Sequence, residues 1–335
     1  MGRRAGRNGA GITVSQGEGR LKKHLQGLVV KTQSGFFTVE TAEGLYVCQI
    51  RGRLKQQRKE TDLVAIGDRV TISVNPDGSG QIEEVEERES ALSRARPAAN
   101  VRQVLSDREQ VLVANPDQVV FVFSIRQPRP SLRKLDRFLV VAEMNELPAL
   151  ICVNKVDLAQ EGEAQEVFGL YEEIGYAVIY TSATTGEGLG QFRESLKGKL
   201  SVLAGSSGVG KSSLLNAIQP GLGLRVRDVS GATEKGMHTT RHAELFELDE
   251  GGYVADTPGI RALALFDVEP QELDGYFREI APLVSGCQFS DCTHRHEPNC
   301  AVREAVADGR VSQQRYESYL RLRDEHDALD DALYE

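Results

Sequence analysis

The sequence predicts a multidomain α/β protein with an N-terminal OB-fold β-barrel, a central domain built on a mostly parallel sheet, and a C-terminal helical domain. Three observations predict this fold class. Short β patterns separated by turns fill residues 25–88, strand and helix patterns alternate within 111–268, and Cys and His residues cluster within 269–335. The chain has 335 residues, which is enough for two or three domains.

The N-terminal segment is basic, although the chain as a whole is acidic. Residues 1–60 contain 12 Lys and Arg against 4 Asp and Glu, a net charge of +8, so the rest must carry −17 to give the formal net charge of −9. We expect residues 1–24 to be a flexible basic arm and 25–88 to be a barrel that binds RNA through a loop between its third and fourth strands. The residues assigned to RNA are Arg51, Arg53, Lys55, Arg58 and Lys59. From charge alone, a solvated tail with one charged loop is an equal alternative.

Aromatic side chains that could stack on bases are few in the predicted barrel. The candidates are Phe36, Phe37 and Tyr46, and we expect at least two of them to belong to the barrel core. Residues 89–110 are charged and contain Pro97, so we expect a linker before the central domain.

The composition favours a cytoplasmic protein without a membrane segment. No apolar run approaches the length of about 18 residues that a spanning helix needs, and residues 1–20 lack the apolar stretch of a secretory signal. Five cysteines in such a chain indicate a reducing compartment, where clustered thiols bind metal more often than they form disulfides. No part of the sequence resembles a dimer seam, so we expect a monomer.

A glycine-rich segment of the central domain matches the phosphate-loop pattern G-x-x-x-x-G-K-[ST] at every position. It follows a predicted strand, Leu200–Ala204, and precedes a predicted helix, Lys211–Ile218. In such a loop, backbone N–H groups face phosphate oxygens, the lysine neutralises the β- and γ-phosphates, and the next hydroxyl is a ligand of Mg²⁺. The assigned residues are Gly205, Ser206, Ser207, Gly208, Val209, Gly210, Lys211, Ser212 (also for Mg²⁺) and Ser213.

Two further motifs predict that the base is guanine. Asn154, Lys155, Val156 and Asp157 form N-K-x-D after a predicted strand, and Ser182 and Ala183 follow the next strand. A carboxylate can accept hydrogen bonds from both the ring N–H and the exocyclic amine of guanine, whereas adenine would leave the charge unpaired. The stem of the lysine can cover the base, and backbone N–H groups of the second motif can reach the guanine carbonyl. N-K-x-D alone is more often a plain turn. Together with a phosphate loop and the S-A motif at a strand end, it predicts a guanine site.

Two segments after the phosphate loop are candidates for sensing the γ-phosphate. Asp256 begins D-T-P-G after a predicted strand and could hold Mg²⁺ through water, while the Gly259 N–H could meet the γ-phosphate. Thr239 and Thr240 lie between this motif and the phosphate loop, and one of them could be the second protein ligand of Mg²⁺. We assign Thr240 to Mg²⁺, and Thr239 stays the alternative. By itself this segment would be a polar loop.

A cluster of soft ligands in the C-terminal domain predicts a structural Zn²⁺ site. Cys287, Cys292, His294 and Cys300 offer three thiolates and one imidazole within a short segment, which suits a closed tetrahedral site. His296 competes with His294 for the fourth place, and spacing does not decide between them. Unrelated thiols and surface histidines are the alternative.

The order of the motifs is rotated relative to ordinary GTPases. N-K-x-D and S-A precede the phosphate loop here, whereas they normally come last, so the central domain resembles a circularly permuted GTPase. Flanked by an OB-like barrel and a Cys/His module, it resembles the ribosome small-subunit-dependent GTPase family (RsgA/YjeQ) over roughly residues 25–320. The resemblance implies GTP hydrolysis stimulated by the 30S subunit, contact with its rRNA, and a role in late 30S maturation.

Hydrolysis is expected to be slow without a partner. Ile260 stands where many GTPases carry a glutamine that orients water, and its apolar side chain cannot do so, which predicts an intrinsic rate of about 10⁻⁴–10⁻³ s⁻¹. His238 is the best polar substitute, and its position is a catalytic candidate in the resembled family. We also assign a catalytic role to Lys211. A purely loop-shaping role for His238 is an equal alternative.

Two other functions compete with a ribosome-dependent GTPase. One is an RNA-binding assembly factor that uses GTP mainly as a conformational switch. The other is a metabolic P-loop enzyme or ATPase, which Asp157 disfavours because its carboxylate does not suit adenine. GTP turnover measured with and without 30S particles separates the first from the leading hypothesis.

Overall fold

The N-terminal barrel is closed by five strands. The computed structural model describes residues 23–51, 63–95, 109–224, 243–255 and 270–334. The strands are β1 (Lys23–Gln33), β2 (Phe36–Thr41), β3 (Gly44–Ile50), β4 (Arg69–Val74) and β5 (Gly80–Val85). They pair in the order β1-β2-β3-β5-β4, and β4 returns to β1. The β3–β5 pair is parallel and the others are antiparallel, so the predicted OB-like barrel is confirmed.

Alternating side chains fill the interior of this barrel. Val29, Val39, Cys48, Ile72 and Ile82 are fully buried there because successive residues of a strand point to opposite faces. Of the three aromatic candidates, Phe37 is buried and Tyr46 packs partly buried against the core. Phe36 is 47% exposed and is therefore the aromatic ring that the barrel offers to solvent.

The segment between the barrel and the central domain differs from the expected linker. Strand β6 (Ala91–Ala95) lies within residues 89–110 and pairs antiparallel with β7 (Glu109–Ala114), which begins at the end of this range. Leu92 and Val113 are fully buried in the main core, so short apolar alternation fixes these strands. The charged residues around Pro97 conceal this alternation in the sequence.

The central domain contains a sheet that is parallel except at one edge. Its order is β10-β9-β8-β11-β13-β12, and only β12 runs antiparallel to its neighbour β13. The strands are β8 (Gln118–Ser124), β9 (Ala149–Asn154), β10 (Ala177–Tyr180), β11 (Leu200–Ala204), β12 (Ala243–Glu247) and β13 (Tyr253–Ala255). The alternation of strands and helices in the sequence predicts this arrangement correctly.

Helices cover both faces of this sheet. Helices α1 (Leu132–Met144) and α2 (Glu163–Glu173) contribute buried residues to one apolar core. Helices α3 (Leu189–Leu196) and α4 (Lys211–Ile218) contribute to the core on the opposite face. Every residue of β8 is buried, as expected for a central strand covered on both sides. Short 3₁₀ helices occupy Val156–Leu158 and Pro220–Leu222.

The barrel and the central domain share one hydrogen-bonded sheet. Strand β1 pairs antiparallel with β12, with Lys31 opposite Glu244, and the Lys31 ammonium lies 3.0 Å from the Glu244 carboxylate. The Tyr253 hydroxyl donates a 3.0 Å hydrogen bond to Glu40 of the barrel. The two domains are therefore joined through backbone as well as side-chain contacts.

The C-terminal domain packs against α1 through helices and a buried ionic cluster. It contains 3₁₀ helices at Pro270–Tyr276 and Ala281–Gly286, followed by α5 (Ala301–Ala307) and α6 (Gln313–Tyr334). Arg315 of α6 is fully buried and donates to Asp136 of α1 at 2.7 Å and to Glu279 at 2.6 Å. This cluster ties the last helix to the central domain.

Candidate nucleotide site and metal centre

The phosphate loop lies where parallel strand β11 ends and α4 begins. Gly208 and Gly210 have φ values of 82° and 98°, a backbone region that favours glycine. A Cβ atom at Gly210 would lie 2.3 Å from the Asn154 amide nitrogen, so only glycine fits there. The Lys211 ammonium donates to the carbonyl oxygens of Gly205 at 2.7 Å and Ser206 at 3.2 Å. Ser212 and Ser213 follow in the first turn of α4.

Asn154 connects the motifs that the sequence separates. It ends β9 and is buried, and its amide group donates a 2.9 Å hydrogen bond to the carbonyl oxygen of Val209 in the phosphate loop. Its side-chain oxygen accepts a 3.4 Å hydrogen bond from the Ala183 N–H. One side chain thus joins N-K-x-D, S-A and the phosphate loop at the carboxyl edge of the sheet.

Lys155 spans the gap between the base motif and the phosphate loop. Its backbone is left-handed, with a φ of 64°, and its ammonium donates to the carbonyl oxygens of Gly208 at 2.7 Å and of Gln127. Partial burial lowers the pKa of Lys155, and the nearby Asp157 opposes this shift. Val156 begins the 3₁₀ turn that carries Asp157.

Ser182 fixes the carboxylate of Asp157. The buried Ser182 hydroxyl donates to Asp157 at 2.6 Å and accepts from the N–H groups of Thr184 and Thr185 at 3.2 and 3.0 Å. The second motif therefore orients the exposed carboxylate of the first. The sequence places both motifs at strand ends but does not reveal this direct contact.

Several predicted site residues lie outside the described residues. These are the catalytic candidate His238, the Mg²⁺ and γ-phosphate candidates Thr239, Thr240, Asp256 and Gly259, and the RNA candidates Arg53, Lys55, Arg58 and Lys59. Arg51 is described at the end of β3, where its half-exposed side chain forms an ion pair with Glu83.

The four predicted metal ligands come together in the C-terminal domain. One ligand atom from each of Cys287, Cys292, His294 and Cys300 lies within 4.8 Å of all the others. The His294 Nδ1 atom is 3.3 Å from the Cys300 sulfur and 3.6 Å from the Cys287 sulfur. Three sulfurs and one ring nitrogen form a donor set that could hold a metal ion. His296 is exposed and does not belong to this cluster.

The ring of His294 is oriented by a carboxylate that sequence reasoning missed. The His294 Nε2 atom lies 3.0 Å from Asp274, and both residues are buried. This contact orients the ring so that Nδ1 faces the thiols. At many metal sites, a carboxylate that hydrogen-bonds a ligand histidine orients its ring in this way. Burial raises the pKa of Cys292 to about 12, so its thiol resists ionisation unless a cation is close. Asp274 precedes Cys287, the first cysteine of the cluster, by 13 positions, and no spacing pattern identifies it.

Lys134 is a second residue near the site that the motifs do not reveal. It lies on α1 and donates a 3.0 Å hydrogen bond from its ammonium to the Ser206 hydroxyl of the phosphate loop. Its ammonium also lies 5.4 Å from the centre of the Phe138 ring. Only the packing of α1 against β8 and β9 brings this lysine to the loop.

Comparisons with known proteins agree with this architecture. A family model described as the RsgA N-terminal domain matches residues 26–82, and one described as RsgA GTPase matches 85–266. A relative from Gemmatimonas aurantiaca, named small ribosomal subunit biogenesis GTPase RsgA, is 45% identical over 302 residues, covering 89% of this chain and 96% of the relative. Across the described residues, none of the helices has the length and apolar character that crossing a membrane requires.

Two solved structures are similar over nearly the whole chain. YjeQ from Thermotoga maritima has a TM-score of 0.73 at 40% identity and covers 90% of this chain and 98% of its own. YloQ, described as a circularly permuted GTPase, has a TM-score of 0.69 at 35% identity and covers 91% and 96%. Sequence, fold and rotated motif order agree, and the chain belongs to the RsgA family of GTPases.

Proposed function

We propose that this protein hydrolyses GTP to GDP and phosphate, is stimulated by the small (30S) ribosomal subunit, and acts in late 30S maturation. The observation that carries the nucleotide assignment is the Asn154 side chain, which hydrogen-bonds both the phosphate loop and the S-A motif. The relatives' name supplies the ribosomal part, since they are called small ribosomal subunit biogenesis GTPases.

In this proposal the guanine base and the phosphates are held by separate groups. The Asp157 carboxylate, oriented by Ser182, accepts the two N–H hydrogen bonds of guanine, and the stem of Lys155 covers the ring. Backbone N–H groups of the phosphate loop bind phosphate oxygens, and Lys211 neutralises the β- and γ-phosphates.

Mg²⁺ would be held at the phosphate end of this site. The Ser212 and Thr240 hydroxyls would be its protein ligands, Asp256 would bind it through water, and the Gly259 N–H would contact the γ-phosphate. When bound, Mg²⁺ neutralises charge that develops on the phosphate oxygens. Ser212 fits this role because it follows Lys211 in the first turn of α4.

Hydrolysis itself would depend on the partner. Ile260 cannot orient the attacking water, and His238 is the polar residue proposed to do so once the 30S subunit is bound. We place the first RNA contact on the barrel loop at residues 51–59 and on the basic arm, because these segments carry the positive charge. We propose that the protein acts as a monomer in the cytoplasm, where ribosomal subunits mature.

The metal bound by the Cys/His cluster is proposed to be Zn²⁺ in a structural role. Three sulfurs and one imidazole nitrogen suit tetrahedral Zn²⁺, and all four positions would be filled by protein. No position would remain for water, which argues against a catalytic role. Metal analysis of purified protein, with one Zn²⁺ per chain expected, tests the identity.

The test of the proposed function is GTP turnover with and without purified 30S subunits at several salt concentrations. We expect slow turnover alone and strong stimulation by 30S that weakens as salt rises, because phosphate contacts release counterions. A Lys211→Ala variant should show no stimulated turnover. GTP-dependent binding to 30S without any stimulation would instead identify an assembly factor that uses GTP as a switch.

A further inference from the structure

A cleft of about 320 Å³ lies between α1 of the central domain and α6 of the C-terminal domain. Four cationic side chains line it: Arg133, Lys134 and Arg137 from α1, and Arg321 from α6. Among the described residues, Glu325 of α6 is the one carboxylate in the lining. Both helices contribute, so a ligand in the cleft would contact two domains at once.

In the part of the chain that the structure describes, the lining of this cleft carries more cations than carboxylates. Glu325 pairs with both Arg133, at 3.1 Å, and Arg137, while Arg321 pairs with Glu317 one turn earlier on α6 at 3.1 Å. Asp136 lies on the same helix, but it is fully buried and engaged by Arg315. Burial lowers the pKa of Arg137, and the neighbouring Arg133 adds to this shift.

These cations are accessible and clustered on an acidic body. The side chains of Arg133 and Arg321 are 59% and 47% exposed, although residues 61–335 carry most of the chain's negative charge. Exposed arginines of one cluster repel each other, and a further anion bound between them would reduce this repulsion. Their planar N–H donors suit phosphate oxygens.

The cleft is also connected to the phosphate loop. Lys134 lines the cleft and at the same time donates its 3.0 Å hydrogen bond to Ser206. An anion in the cleft would attract the same ammonium group that now contacts the loop. Binding at the cleft would therefore alter the contact of Lys134 with the phosphate loop directly, without a long chain of contacts.

We propose that the cleft between α1 and α6 binds the phosphate backbone of the partner RNA, as a second contact separate from the barrel loop. This inference rests on the proposed function, because it takes RNA of the 30S subunit as the polyanion. The cleft holds the central and C-terminal domains against the same RNA strand, and Lys134 links that contact to Ser206.

The test uses the full chain and purified 30S subunits, with binding measured as a function of salt. In the double variant Arg133→Gln with Arg321→Gln, the slope of log K against log salt should become shallower by about 1.4 to 1.8, since each lost phosphate contact removes about 0.7 to 0.9. Glu325→Gln removes the opposing charge, so it should tighten binding and steepen the slope. Basal GTP turnover should not change in either variant.

The matched control is Arg310→Gln, an exposed arginine of the C-terminal domain that pairs with Asp308 outside the cleft. It should bind like the unmodified protein. If the unmodified protein binds and is stimulated by 30S, but the double variant and Glu325→Gln both match it in slope, the cleft inference is wrong while the proposed function stands. If the unmodified protein neither binds nor responds to 30S, the proposed function itself fails.

Discussion

Replacing Arg315 by methionine should destabilise the protein strongly, because it leaves two buried carboxylates without their cation. The side chains of Arg315 and Asp136 are 0% exposed and that of Glu279 is 10% exposed. Burial alone would lower the pKa of Arg315, but Glu279 and Asp136 outweigh it and raise the pKa. The Arg315 guanidinium also lies 4.5 Å from the centre of the Phe277 ring, so methionine preserves some of the apolar packing.

The magnitude follows from what remains around each carboxylate. Breaking a buried ion pair by removing one partner costs about 3–5 kcal/mol of unfolding free energy. Asp136 keeps hydrogen bonds from the Tyr171 and Ser318 hydroxyls, which compensate it in part. We therefore expect a loss near the lower end, about 3 kcal/mol.

The assay is denaturant unfolding followed by far-UV circular dichroism, since the chain contains no tryptophan. Arg310→Met, at a side chain that is 58% exposed, is the control and should change stability by less than about 0.5 kcal/mol. Adding Asp136→Asn and Glu279→Gln to Arg315→Met should recover much of the loss, because no charge is then left unpaired. If Arg315→Met were as stable as the control, the ionic cluster would not hold the C-terminal domain to α1.

The remaining predictions concern the metal and nucleotide sites. Asp274→Asn should weaken Zn²⁺ binding about 10- to 100-fold in competition with a chromogenic chelator, because the Asp274 carboxylate orients the ring of the ligand His294. The exposed Asp291→Asn is the control. Equal Zn²⁺ affinities of the two variants would exclude an orienting role for Asp274. Ser182→Ala should weaken GDP binding about fivefold in a fluorescence titration, a loss of about 1 kcal/mol for one hydrogen bond to an exposed carboxylate. Unchanged affinity would show that Ser182 does not orient the Asp157 carboxylate for GDP. His238→Ala should abolish 30S-stimulated turnover but spare GTP binding, and normal stimulation would remove His238 from the mechanism.

Local patterns in the sequence predict most of the fold. Strand β11, the glycine loop and α4 follow from an apolar run, a phosphate-loop motif and a helical repeat, all within a few residues of one another. The strands β6 and β7 are missed because both are short and charged neighbours hide the alternation around Leu92 and Val113. Short elements stabilised by tertiary packing leave little local signal.

In the candidate sites too, local motifs are predictable from the sequence, whereas contacts between distant residues are not. Ligand types and spacing predict the Cys/His cluster, but the choice of His294 over His296 depends on which ring is buried among the sulfurs. Asp274 and Lys134 act across long sequence separations, so only the fold brings them to His294 and Ser206. Likewise, N-K-x-D predicts a base site, whereas the direct hydrogen bond from Asn154 to the phosphate loop is visible only in the structure.

If the motifs in rotated order form a single guanine site, an Asp157→Asn variant should change its nucleotide preference. GDP and XDP affinities would be measured by fluorescence titration, with the exposed Asp249→Asn as control. Losing hydrogen bonds from guanine to the exposed carboxylate should weaken GDP binding about 100-fold. XDP should bind better than to the unmodified protein, because the asparagine amide can donate to the xanthine carbonyl. Unchanged GDP preference in Asp157→Asn would show that residues 154–157 do not bind the guanine base and that the motifs do not form one site.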